Sequence, residues 1–314
     1  MHRRGRERSI AAFALAFFGT TLAASSTFAA GSSTLGQVVP RLDHIIVVVM
    51  ENKTYDQVRV LPYAAGLIAS YASFSNSYGL THPSQPNYLA LWGGDTFGVT
   101  SDACPAPGSP YSAENLGHAC EAAGLTWRAY SENLPEAGSS VCTADNSLYT
   151  RKHDPWTNFS NLDHLNERPY SDLAADLSGG TLPNLAFVIP NNCDDSHNTT
   201  QGCTAEFGDT WLSNNVPAMI QAVGNGIVVL TWDEDDSSLR NNNHILTVFA
   251  GPPVQSGYVS TQILSHYTVL RMICEALGIQ PFGFAAGQFS ITDVWRDVTS
   301  ARRDTWGRLK LLYR

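Results

Sequence analysis

Positive charge is scarce in this 314-residue chain: 19 Lys and Arg stand against 28 Asp and Glu, a formal net charge of -9. That balance gives no overall attraction to nucleic acid or to an anionic membrane surface. Cysteine is limited to six residues, none in Cys-x-x-Cys spacing, which argues against a zinc–thiolate centre. Beyond the first 30 residues there is no long apolar run, and nowhere an internal repeat or low-complexity linker, so neither a membrane-spanning bundle nor a solenoid is expected. What is present is 43% hydrophobic residues with 15% charged ones, enough for a sizeable core and too apolar for a disordered chain. The 25 Gly and 16 Pro point to many loops rather than a helical bundle.

The start of the chain carries Arg3, Arg4, Arg6 and Arg8, then apolar residues from Ile10 to Phe18, then small residues. This pattern reads as a secretory signal peptide cleaved after Ala29, where Thr27-Phe28-Ala29 supplies the small-x-small site. Removing four Arg and one Glu (+3) takes the net charge from -9 to -12 for residues 30–314. Export makes disulfides permissible. Cys193 and Cys203 bracket a short polar loop and are the favoured pair, whereas Cys274 in an apolar helical run reads as a buried free thiol. Asn158 and Asn198 open glycosylation sequons.

Residues 44–50 form a continuous β-branched run, as expected of a strand buried on both faces. Similar runs occupy Leu185–Ile189, Gly226–Thr231 and Ile245–Phe249, with helical patterns at Ser112–Ala129, Ser171–Leu177, Asn215–Val223 and His266–Leu277. The alternation predicts one α/β domain, a mostly parallel central sheet with helices on both faces. Ligands in such folds bind at the carboxyl ends of the strands. Three strands end in oxygen or imidazole donors: Glu51-Asn52, the segment Pro190–His197, and Asp233–Asp236. Gathered on one edge, they suit a hard cation.

Between the first two of these runs, Pro86 opens a helical pattern and places Ser84 at the helix entry, where unpaired N–H groups and the dipole favour an anion. Ser84 there is either an activated nucleophile toward phosphorus or an N-cap.

Taken in order, Met50-Glu51-Asn52-Lys53-Thr54-Tyr55-Asp56, His82-Pro83-Ser84-x-Pro86-Asn87-Tyr88, Pro190-Asn191-x-Cys193-x-Asp195-x-His197, Thr231-Trp232-Asp233-Glu234 and His266-Tyr267-x-Val269-Leu270-Arg271 resemble the phosphoesterase family of bacterial phospholipases C and secreted acid phosphatases. Within it the chain looks most similar to the small secreted acid phosphatases that act on phosphomonoesters, including phosphatidylinositol 3-phosphate. The resemblance implies the alkaline-phosphatase-like three-layer sandwich. It also implies metal ligation by Glu51, Asn52, Asp233 and Glu234, a transiently phosphorylated Ser84, and an Asn87 that touches a phosphate oxygen. An all-oxygen shell favours calcium, magnesium or manganese over zinc. A second metal would use Asp195, His197 and His266; the one-metal alternative leaves His197 or His266 to protonate the leaving group.

Lys152-His153, His82 and His244 are further candidates for binding substrate, with a basic surface turn and a strand-start packing residue as the plain readings of the first and last. His44, His118 and His164 receive no role. The expected activity is phosphomonoester hydrolysis in a secreted or periplasmic monomer, on small phosphate monoesters or phosphoinositide headgroups, with no nucleic-acid partner and no stable membrane insertion. The competing readings are a phospholipase C-like phosphodiesterase and an exported metal- or anion-binding protein without turnover.

Overall fold

The computed structural model of the protein describes residues 39–197, 202–237 and 242–296. The expected signal peptide and the Asn198 sequon lie outside them. The chain enters through β1 (Ile45–Met50), turns through α1 (Tyr55–Val58) and α2 (Pro62–Ser70), and returns as β2 (Ala72–Tyr78) before α3 (Ser84–Gly93). Next come α4 (Leu116–Ala122) and β3 (Trp127–Ser131), then a two-strand hairpin of β4 (Thr143–Ala144) and β5 (Tyr149–Thr150). The strand β6 (Glu167–Pro169), α5 (Leu173–Gly179), β7 (Leu185–Ile189), α6 (Ala205–Ala222) and β8 (Ile227–Trp232) follow. The strands β9 (Thr247–Ala250) and β10 (Val259–Ser265) lead into α7 (His266–Leu277).

Eight of the strands form one sheet in the order β10-β2-β9-β8-β1-β7-β3-β6. β1 pairs in parallel with β7 and β8, and only β9 runs antiparallel to its neighbours. The reason for the continuous apolar run at β1 is visible in its alternation. Ile45, Val47 and Val49 pack into one core with α3 and α7, while Ile46, Val48 and Met50 pack into the other with α2 and α6. The sheet is therefore covered on both faces, as parallel sheets require.

The patterns at β1, β7, β8 and α7 predict their elements to within a residue or two. The expected helix over Ser112–Ala129 is a shorter one: Asn115 caps α4, Gly124 at φ +70 ends the turn after it, and Trp127–Ser131 pairs instead with β7. The Asn158 sequon is buried, its Oδ1 accepting from the Ala106 N–H at 3.2 Å, so no glycan can reach it. Cys193 pairs with Cys203, Cys104 pairs with Cys142, and Cys120 and Cys274 are buried and free.

α3 is buried along its whole length, and Trp92 near its end is the hub of an aromatic cluster, with ring centroids 5.1 Å from Trp127, 5.4 Å from Trp156 and 5.3 Å from Phe187. Trp92→Ala should cost about 3–5 kcal/mol, read as a lower urea midpoint at unchanged m-value. A loss well under 1 kcal/mol would mean that the cluster does not anchor α3.

Candidate active site

Because β1, β7 and β8 are parallel, Glu51, Asp195 and Asp233 leave the sheet on the same edge. β2 runs in the same sense as β8, since both are antiparallel to β9, so the turn that precedes Ser84 arrives there too. Ser84 is the first residue of α3, after Pro83 at the cap position, and its side chain makes no capping bond. Its Oγ lies 3.2 Å from Glu51 Oε2, 3.2 Å from Glu234 Oε1 and 3.5 Å from Asn52 Oδ1. The hydroxyl thus faces the acids and not the N–H groups of its own helix.

One hydroxyl proton can serve only one of the two carboxylates at a time. The rest of the site answers that repulsion. Asn52 sits at φ +38, and this left-handed turn directs its N–H to Asp233 Oδ1 (3.3 Å) and its Nδ2 to Glu234 Oε1 (2.9 Å). His82 Nδ1 meets Glu234 Oε2 at 2.5 Å. Glu51 lies between two imidazoles, His153 Nε2 at 2.8 Å from Oε1 and His197 Nδ1 at 3.1 Å from Oε2. Tyr88 stacks on His153 at 5.1 Å.

Burial works to raise the Glu51 pKa, but His153, Lys152 and His197 outweigh it and hold this carboxyl well below the usual range. Burial and then Glu51 and Glu234 push Asp233 well above that range; burial and Glu51 do the same to Asp195. Burial lifts Glu234 to about 7, against the opposing pull of His82. The cluster thus holds one firmly ionised carboxylate and three that resist ionising beside it.

Three expected site residues have other work. Asn87 is fully engaged by the turn before Ser84. Its Oδ1 accepts from the N–H groups of Leu80 (2.9 Å) and Thr81 (3.2 Å), and its Nδ2 donates to the carbonyls of Thr81 (2.7 Å) and Pro83 (3.3 Å). All four of its hydrogen-bonding positions are engaged within the turn that it shapes. His244 stacks on Tyr55 at 4.5 Å and its Nε2 bonds the Ser75 carbonyl at 3.0 Å, away from Ser84. His266 is buried, its Nε2 2.5 Å from the Asp233 carbonyl, and burial lowers its pKa to about 4. It is a neutral prop beneath Asp233.

The Phosphoesterase family model matches residues 58–280. The chain belongs to this family. It is 38% identical to the phosphatidylinositol-3-phosphatase of Mycobacterium tuberculosis over 82% of this chain and 85% of that protein. It is 27% identical to an acid phosphatase of Aspergillus fumigatus over 74% of this chain and 54% of that one. Among solved structures, its fold resembles a protein in the alkaline phosphatase superfamily from Vibrio parahaemolyticus (TM-score 0.58, 11% identity, 81% of this chain and 72% of that chain). It also resembles murine ectonucleotide pyrophosphatase / phosphodiesterase 5 (TM-score 0.56, 11% identity, 81% and 100%). The expected fold is the observed one.

This phosphoesterase presents a donor set that fits a hard divalent cation. Glu51, Asn52, Asp233 and Glu234 offer only oxygen, and Asp233 Oδ2 and Asp195 Oδ2 are buried without a hydrogen-bond partner. Among the described residues no three His, Cys, Asp or Glu side chains already converge on one point. Asp195, His197 and His266 in particular are not gathered, because His197 faces Glu51 and His266 faces the Asp233 carbonyl.

Lys152 and His153 sit on a single 3₁₀ turn, Arg151–His153, closed by the Asp154 N–H to Arg151 carbonyl bond at 2.9 Å. The Asp154 side chain is buried beneath that turn, with Oδ1 2.7 Å from Ser131 Oγ, and burial, reinforced by Glu167, raises its pKa to about 8. The folded chain therefore keeps a proton that the unfolded chain releases near 3.8, and this contribution to stability is lost as pH rises through about 8. Asp154→Asn should flatten that loss. Relative to wild type, the variant should be more stable at pH 8 than at pH 5 in denaturant titrations; the same difference at both values would show that Asp154 is not held neutral.

Proposed function

We propose that the protein hydrolyses phosphate monoesters, the 3-phosphate of phosphatidylinositol 3-phosphate among them, through a phosphoserine on Ser84. The observation that carries this reading is Ser84 Oγ at the entry of a buried helix, 3.2 Å from both Glu51 and Glu234. The 38% identity to a phosphatidylinositol-3-phosphatase supports the substrate class.

A divalent cation held by Glu51, Asn52, Asp233 and Glu234, with calcium, magnesium or manganese favoured, would offset the carboxylate charge and polarise the phosphate. The chain's own residues supply the rest. Ser84 Oγ forms a bond to phosphorus as its proton passes to Glu234 Oε1, 3.2 Å away. Lys152, His153 and His82 face the added negative charge. His197 is anchored at Nδ1 by Glu51 and one-third exposed, so it protonates the departing oxygen as the phosphorus–oxygen bond breaks. Water then attacks the phosphoserine, gives its proton to His197, and Ser84 recovers its own. The dipole of α3 favours phosphate at this end throughout.

We also infer that residues 30–314 are one catalytic domain, exported after removal of the leader and acting as a monomer. The two disulfides are in keeping with export. No helix among the described residues is long and apolar enough to cross a membrane.

Ser84→Ala should lower kcat by about 10³-fold or more without changing the circular dichroism spectrum or melting temperature. Near wild-type turnover would remove Ser84 from the chemistry, and hydrolysis of phosphatidylcholine in preference to phosphatidylinositol 3-phosphate would favour a phosphodiesterase. Exhaustive chelation should abolish turnover, and calcium, magnesium or manganese should restore it better than zinc. Full activity after chelation, with metal absent by elemental analysis, would refute the cation site.

A further inference from the structure

The first turn of α3 has an unusual cap. Residues at a helix entry normally accept one of the orphan N–H groups through a short polar side chain. Pro83 occupies that position and has no such group. The missing acceptor comes from 17 residues further on: Asp102 Oδ1 takes the Gln85 N–H at 3.0 Å. The second oxygen of the same carboxylate, Oδ2, takes Lys152 Nζ at 2.9 Å. One side chain thus joins the helix that carries Ser84 to Lys152, the chain neighbour of the His153 that meets Glu51.

The two loops that meet at Asp102 are also joined covalently. Cys104 lies two residues after Asp102 and is bonded to Cys142, whose carbonyl accepts the Arg151 N–H at 3.0 Å, one residue before Lys152. The Asp102–Lys152 contact is therefore bracketed by a disulfide and a backbone hydrogen bond within two residues on either side. Lys152 is mostly buried and the Asp102 side chain is about one-third exposed, so the pair is only partly screened by water. A flexible lysine tied at this distance is presented in one place rather than sampling many rotamers.

We propose that Asp102 is a positioning residue for the reaction: it caps the nucleophile helix with one oxygen and holds Lys152 toward the phosphate with the other. The Cys104–Cys142 bridge keeps the two halves of this clamp in register. The inference rests on the reading above that Lys152 faces the phosphate. It also explains why the Gln85 N–H is not a free phosphate donor, as a bare helix entry would suggest.

The two functions of the carboxylate can be separated by substitution. Asp102→Asn keeps an oxygen acceptor for the Gln85 N–H and removes the charge opposite Lys152. It should raise KM for a small phosphate monoester, and the Ki of inorganic phosphate, by about tenfold, the weight of a charge-assisted contact, with kcat little changed. Asp102→Ala loses the cap as well and should lower kcat in addition. Lys152→Met should match the KM rise of Asp102→Asn, and the double variant should show no further rise, the signature of one coupled unit.

A Lys152→Met enzyme with wild-type KM and Ki would overturn the phosphate-facing reading of Lys152. A raised KM in Lys152→Met but not in Asp102→Asn would overturn the role of Asp102 alone, as would additive effects in the double variant. The Cys104→Ser/Cys142→Ser enzyme extends the test. It should raise KM in the wild-type background and not in the Lys152→Met background; an equal rise in both would detach the bridge from the clamp. Melting temperatures of all variants separate these outcomes from misfolding, and Asp102→Asn, which preserves the cap, is the informative enzyme should Asp102→Ala fail to fold.

Discussion

Everything at this site follows from the cost of bringing several carboxylates together away from water. Glu51, Asp195 and Asp233 are each no more than 1% exposed and Glu234 is 2% exposed, and all four belong to one edge of one sheet. Like charges so placed cannot all ionise unless something opposes them. The surroundings are built for that opposition: two imidazoles on Glu51, one on Glu234, an asparagine side chain and N–H shared between Asp233 and Glu234, and Lys152 at a distance. Buried oxygens that still lack a partner mark where these neighbours do not suffice. The same crowding that burdens folding sets a serine hydroxyl among proton acceptors, which is the condition for making it a nucleophile.

The sheet makes this crowding possible without disordering it. Parallel strands deliver successive chain segments to one edge, each already fixed by pairing with its neighbours. The helices add the second half of the site from the same edge. α3 brings Ser84 at its first residue, and α7 brings His266 under the Asp233 carbonyl. Rigidity comes from packing on both faces, not from the loops: α3 is buried throughout and the aromatic cluster around Trp92 pins its far end. Gly94 completes that pinning. At φ +71 it turns the chain sharply, and a side chain there would press on the Phe282 carbonyl at 3.0 Å.

Much of this was legible before any coordinates. The runs at β1, β7 and β8 are apolar because both faces of the sheet are covered, and that is a one-dimensional signal. From it the edge, the three acidic strand ends and Ser84 at a helix entry follow. β2 gave no such signal, since Ala72–Tyr78 alternates with serines; its buried Ser77 is satisfied by Thr247 Oγ1 across the antiparallel pair at 2.7 Å, a partner 170 residues away. β3 was hidden for a related reason: its helical spacing is overruled by pairing with β7 and β6. Asn87, His244 and His266, all expected at the site, have their side chains turned to backbone groups for a common reason. Residue type and strand-end position told where they would be, but whether a polar side chain faces the cleft or a backbone carbonyl depends on a few ångströms that spacing does not encode. Asp102 shows the converse, a residue with no motif around it whose importance appears only when its two partners are seen.

The single reversed strand, β9, has a meaning beyond completing the sheet. A parallel strand must send its connection across a face and back, so that the length of each crossover is tied to the width of the core. Between β8 and β9 the chain leaves and re-enters at the same edge, the one that holds Ser84. Asp235, which bonds the Asn243 side chain through its N–H at 2.7 Å, and Asn243, which reaches the Thr81 carbonyl at 3.2 Å, both ride on this connection. Its length is therefore decoupled from the core. An insertion after Asp235 would change this edge beside Ser84 while leaving the strand register where it is.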